Sequence, residues 1–126
     1  MKLLGICDII YFDIDGTLVN DSRAVLKSTE KAIQSLKEEG IYVGLATGRG
    51  PAFVKPFMER YGFDFAVTYN SQYILTKDRV LFTSPIDKKS LHQLIDYARE
   101  HRKEIALGTK DGVFGSRIMS FGMSPI

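Results

Sequence analysis

At 126 residues and 14.2 kDa, with 44% hydrophobic and 25% charged residues, the chain has the composition of one globular domain. Such a domain buries roughly two-thirds of its unfolded surface. A formal net charge of +2 without a polybasic block argues against nucleic acid as a partner. No run approaches the ~18 uninterrupted apolar residues that a membrane span requires.

The start, Met1 to Asp8, hints at a secretory signal, but Asp8 interrupts an apolar run too short for an h-region. Cys7 is the one cysteine, so no intrachain disulfide can form, and the chain reads as cytoplasmic. Ile9, Ile10, Tyr11 and Phe12 are apolar enough for a parallel strand buried on both faces. Asp13 ends that strand. Ligands of α/β proteins bind at the carboxyl ends of such strands, so Asp13 and Asp15 are expected at the mouth of a site, with Gly16 permitting the turn. After Gly16 come Thr17, Leu18 and Val19, where a calcium loop would need further oxygen ligands.

A polar loop over Asn20 to Arg23 leads to a helix from Ser28 or Thr29, either of which can serve as N-cap, with Ala32, Ile33 and Leu36 as its apolar stripe. Gly40 stands where helices stop. Residues 41–46 are rich in strand formers and complete a βαβ unit, whose crossover is right-handed. That second strand runs out in Thr47-Gly48-Arg49 beside Asp13. A hydroxyl there can donate to a phosphate oxygen, and free backbone N–H groups at the next helix start favour an anion. Pro51 suits a first helical turn; Phe53, Phe57 and Tyr61 form a core-facing stripe, and Pro56 is expected to kink the helix or mark its true start. Gly62 ends it. Residues 63–69 read as a third strand closing in Asn70-Ser71. Tyr73 to Leu75 and Val80 to Phe82 then form a hairpin, read as a small antiparallel appendage. A helix from Asp87 carries Leu91, Leu94, Ile95 and Ala98 on one face, and a second hairpin turns at Lys110-Asp111-Gly112.

The stretch Asp13-Ile14-Asp15-Gly16-Thr17-Leu18 resembles the first motif of the haloacid dehalogenase-like hydrolases at all six positions, and Ala46-Thr47-Gly48-Arg49 resembles the second in the form seen in the Cof-like subgroup. The resemblance implies an α/β, three-layer Rossmann-like parallel-sheet core over residues 1–84 and the beginning of an α/β cap over 85–126. It also implies Mg2+ as cofactor and a small phosphorylated metabolite, such as a sugar phosphate, as substrate. Asp13 would be the nucleophile that forms an aspartyl-phosphate, and Asp15 the general acid and base. Both would contribute to the metal site, Asp15 through its main-chain carbonyl. Thr47 and the N–H groups of Ile14 and Gly48 would hold phosphate oxygens, with Gly16, Arg49 and Asn70 completing the substrate-binding set. Asn70 is followed by Ser71 where related proteins often have glycine.

The family's Lys motif and its acidic pair come after the cap, so the chain is expected to be a fragment or the product of a short gene, and a weak or inactive enzyme by itself. The first strand would then be a bare sheet edge, open to homodimerisation unless the tail from Met119 covers it. A non-catalytic phosphate-binding remnant and a phosphotransferase or mutase of the same superfamily share these residues and stay open at this level.

Overall fold

In the computed structural model, which describes residues 8–115, two βα units and a third strand in succession set the frame: β1 (Ile9–Phe12), α1 (Lys27–Glu38), β2 (Tyr42–Ala46), α2 (Pro51–Tyr61) and β3 (Phe65–Thr68). Strands β4 (Tyr73–Thr76) and β5 (Val80–Thr83), helix α3 (Lys88–Glu100) and the hairpin β6 (Ala106–Thr109) and β7 (Gly112–Gly115) follow. β1, β2 and β3 pair in parallel, Ile9 opposite Tyr42 and Gly44 opposite Phe65. Cys7 and the tail from Met119 lie outside the described residues.

Two right-handed crossovers in the same direction place α1 and α2 on one face of the sheet. There Ile33, Val54, Phe57 and Met58 pack on Val43, Leu45 and Ala66 to form the core. The opposite face carries Tyr11, Tyr42 and Phe65, with Tyr11 edge-on to Phe65 at 4.9 Å. Gly44 lies between those two rings in register, and a Cβ there would stand within 1.8 Å of the Phe65 ring. β1 is therefore not buried on both faces as its apolar run suggests: Ile9 is 44% and Tyr11 52% exposed. It ends the sheet on one side among the described residues.

Two local expectations are corrected and a third, that Pro56 kinks α2 or marks its true start, is narrowed. Helix α1 begins at Lys27 after Leu26, with no side-chain cap from Ser28 or Thr29; its amphipathic face, with Ile33 buried, holds it in place. Its other end follows the sequence, since Gly40 at φ 80° lets Gly40 N–H reach Lys37 O and Ile41 N–H reach Leu36 O, a Schellman pair. Helix α2 starts at Pro51 and runs through Pro56, which lies on its exposed side while Val54, Phe57 and Met58 anchor the helix. Lys37 Nζ of α1 donates to Gly62 O at 2.6 Å and caps the end of α2. Lastly, the Tyr73 hairpin is no appendage. The connection from Thr68 to Tyr73 is so short that β4 folds straight back on β3, and the sheet has five strands in the order β1-β2-β3-β4-β5. Helix α3 is capped by Asp87, whose carboxylate accepts from Ser90 N–H and Oγ–H, both at 2.8 Å.

Candidate active site

The carboxyl ends of β1, β2 and β3 open on the same side, and the loops that leave them supply the site. After β1 the chain tightens at once: Ile14 O accepts from the N–H groups of Thr17, Leu18 and Val19, and Gly16 adopts φ 78°. Ile14, Leu18 and Val19 are buried beneath this turn, which leaves Asp13 and Asp15 outward. The alternation of apolar and acidic residues is thus the local cause of two exposed carboxylates.

After β2, Thr47 is held on three sides. Its N–H donates to Val67 O at 2.9 Å, its carbonyl accepts from Asn70 N–H at 3.2 Å, and its Oγ1 accepts from Arg49 N–H at 3.1 Å. The hydroxyl proton is left to be donated elsewhere. Gly48 N–H finds no acceptor among the described residues, and the first N–H group of α2 is that of Ala52, because Pro51 at its start has none. Asn70 lies against this loop, its Oδ1 3.2 Å from where a Cβ of Gly48 would stand. Asp13, Thr47, Gly48, Asn70 and Ser71 line one open cavity of about 370 Å³, floored by Ala46 and Val67. A larger cavity of about 1090 Å³ lies in the groove between α1 and α2, away from these carboxylates; the smaller one is the candidate site because an acid, a hydroxyl-bearing residue and Gly48 line it together.

Two placements depart from a phosphate-ready arrangement. Ile14 N–H donates to Asp13 Oδ1 at 2.9 Å, so it must exchange partners before it can meet a phosphate oxygen. Asp15 is outside the 370 Å³ cavity and pairs with Arg49 through two parallel bonds, Nε to Oδ2 and Nη2 to Oδ1, each 2.8 Å. The fork geometry makes this the strongest kind of surface ion pair. Arg49 is further held by stacking over the Phe53 ring, 4.1 Å from its centre. The bidentate bonds lower the Asp15 pKa against the opposing effect of partial burial, with added help from the charges of Arg49 and Arg23, and the same bonds raise that of Arg49.

For a Mg2+ ion the Asp13 carboxylate and the Asp15 carbonyl are hard oxygen donors of the right kind. Among the described residues no group of three or more His, Cys, Asp or Glu side chains gathers that could complete its shell. The donor set fits the ion in kind.

The third strand ends at Thr68, one residue before the pattern suggests, because Tyr69, Asn70 and Ser71 all take positive φ, at 48°, 52° and 78°. Ser71 thus occupies a conformation that favours glycine. Ser71→Gly is expected to raise stability by about 0.5–1 kcal/mol, since a left-handed non-glycine residue costs roughly 1–2 kcal/mol and glycine returns part of that as chain entropy. Urea denaturation with an unchanged slope and a higher midpoint would show it.

The model of the haloacid dehalogenase-like hydrolase family matches residues 10–123. The chain belongs to this family. It is 30% identical over 103 residues to YkrA of Bacillus subtilis, provisionally named a phosphatase, covering 82% of this chain and 40% of that protein. It is 29% identical over 96 residues to YbhA of Escherichia coli, named a pyridoxal phosphate phosphatase, covering 74% of this chain and 35% of that one. A solved structure from Geobacillus kaustophilus superposes with a TM-score of 0.83 at 27% identity, covering 95% of this chain and 51% of its own. The chain spans about half or less of the length of these relatives. The mixed sheet with its flanking helices is thus the haloacid dehalogenase Rossmann-like core, in part.

Sequence reasoning did not find that Phe53 packs on Arg49 or that Tyr69 reaches the β6–β7 turn, both outside the cavity lining. Phe53 is in the helical stripe and reads as core; Tyr69 ends an apolar strand and reads as one more strand residue. Nothing in either local pattern signals the Arg49 guanidinium or the left-handed turn.

Proposed function

We propose that the protein is the site-bearing part of a Mg2+-dependent phosphatase that hydrolyses a small phosphomonoester, such as a sugar phosphate, through an aspartyl-phosphate. The observation that carries this reading is the convergence of Asp13, the Thr47 hydroxyl and the free Gly48 N–H on one cavity at the carboxyl ends of adjacent parallel strands. Family membership supports it. Asp13 uses one oxygen to accept from Ile14 N–H, which orients the carboxylate and leaves its other oxygen for attack on phosphorus. Thr47 and Gly48 donate to the oxygens that gain charge in the transition state. Asp13 and the Asp15 carbonyl would hold a Mg2+ ion, which would offset the repulsion between carboxylate and phosphate.

Asp15 has two tasks in this reading, protonating the leaving oxygen and then taking a proton from water. Its pairing with Arg49 favours the second, because it keeps the carboxylate ionised. For the first, Asp15 must leave Arg49 or be protonated beside it. Arg49→Gln is therefore expected to raise the Asp15 pKa toward its unperturbed value and move the alkaline limb of kcat/KM to higher pH. Carboxyl NMR titration together with a pH–rate profile checks it, and an unmoved Asp15 titration would refute it. The linked stability has a definite sign: the folded pKa lies below the ordinary 3.8, so the pair stabilises above that pH and its contribution is lost as pH falls through the folded value.

The reading is tested by phosphate release from a panel of sugar phosphates, pyridoxal phosphate and p-nitrophenyl phosphate, with Mg2+ and with EDTA. Release that requires Mg2+ and is blocked by a fluoroaluminate or vanadate analogue supports it. A complete protein that binds phosphate without turnover would support the phosphate-binding remnant instead.

A further inference from the structure

Tyr69 joins two parts of the chain that are 40 residues apart. Its hydroxyl donates to Thr109 O at 2.8 Å and lies 3.3 Å from Gly112 O, the two carbonyls that bracket the β6–β7 turn. Its own N–H donates to Arg49 O at 3.0 Å, and the next residue is Asn70, in the cavity wall. The ring is clasped by glycines. A Cβ on Gly50 would stand 2.3 Å from ring Cζ and Oη, and a Cβ on Gly108 2.8 Å from ring Cζ. Tyr69 adopts φ 48°, an uncommon backbone for a bulky residue, and such outliers persist where the surroundings over-determine them. Burial raises the Tyr69 pKa above the usual 10.0, so the hydroxyl keeps its proton at neutral pH.

We infer that Tyr69 is a positioning residue for the leaving group: it holds the β6–β7 turn, with the exposed Lys110 and Asp111, at the rim of the Asp13, Thr47 and Asn70 cavity. This rests on the phosphatase reading and extends it. Thr109 Oγ–H donates to Gly112 O at 3.1 Å and accepts from Asp111 N–H at 3.1 Å, so the turn keeps its own shape and needs Tyr69 only for its location. The rest of a phosphomonoester would meet this turn after its phosphate has entered the cavity. An aryl leaving group that departs readily needs no polar contact there, whereas a sugar does.

The test uses the complete protein and two variants, Tyr69→Phe, which removes only the hydroxyl, and Gly108→Ala, which pushes the intact ring aside from the other strand. Amide hydrogen exchange over residues 106–115 is expected to quicken in both by roughly 2-fold to 12-fold, the equivalent of one hydrogen bond, with residues 42–46 unchanged. The KM for glucose 6-phosphate is expected to rise by a similar factor while kcat for p-nitrophenyl phosphate stays within about twofold. Unchanged exchange in the hairpin overturns the inference whatever the kinetics. Equal losses on both substrates overturn it too, because they would make Tyr69 a support for the phosphate site itself. If the parent protein releases phosphate from neither substrate, the phosphatase reading falls and the leaving-group role with it, even if exchange reveals the tether.

Discussion

Replacing Asp13 by asparagine is expected to lower phosphate release by on the order of a thousandfold or more while leaving the fold intact. The side chain is exposed and its shape is preserved, and the amide oxygen can still accept from Ile14 N–H, so the turn keeps its closing bonds from Thr17, Leu18 and Val19. What is lost is the charge that attacks phosphorus and binds the cation. Steady-state assays with Mg2+ and p-nitrophenyl phosphate, paired with circular dichroism, separate chemistry from folding. Activity within tenfold of the parent would remove Asp13 from the role.

Thr47→Ala is expected to cost about 100-fold to 1,000-fold in kcat, the range for losing one donor to a transition-state oxygen. Its KM should change less, because a donor aimed at developing charge contributes little in the ground state. Thr47 is buried and its Oγ1 is the acceptor for Arg49 N–H, so the substitution also leaves that amide without its partner. Thr47→Ser keeps the hydroxyl and separates the two effects: it should recover most of the rate. A serine variant as slow as the alanine would assign Thr47 to the loop's structure and not to the reaction.

Both residues were legible in the chain because each follows an apolar strand directly, and parallel strands of one sheet end on one side. The Asp13 to Leu18 stretch shapes itself locally, through an acidic and apolar alternation closed by a glycine at φ 78°. Gly40 and Gly62 stop their helices for the same kind of local reason. The start of α1 and the passage of α2 through Pro56 depend instead on which faces are buried, and neighbouring residues do not specify that.

The sequence by itself thus determined the family, the parallel order of the first three strands and the residues at their carboxyl ends, since hydrophobic period and glycine turns act over a few residues. Only the tertiary structure decided that Arg49 holds Asp15, that Phe53 stacks beneath the guanidinium, and that Tyr69 reaches the β6–β7 turn. These contacts join residues 34 and 40 positions apart in two cases. Their geometry comes from loops that meet above the sheet, where a side chain's partner is set by distance in space and not by spacing along the chain.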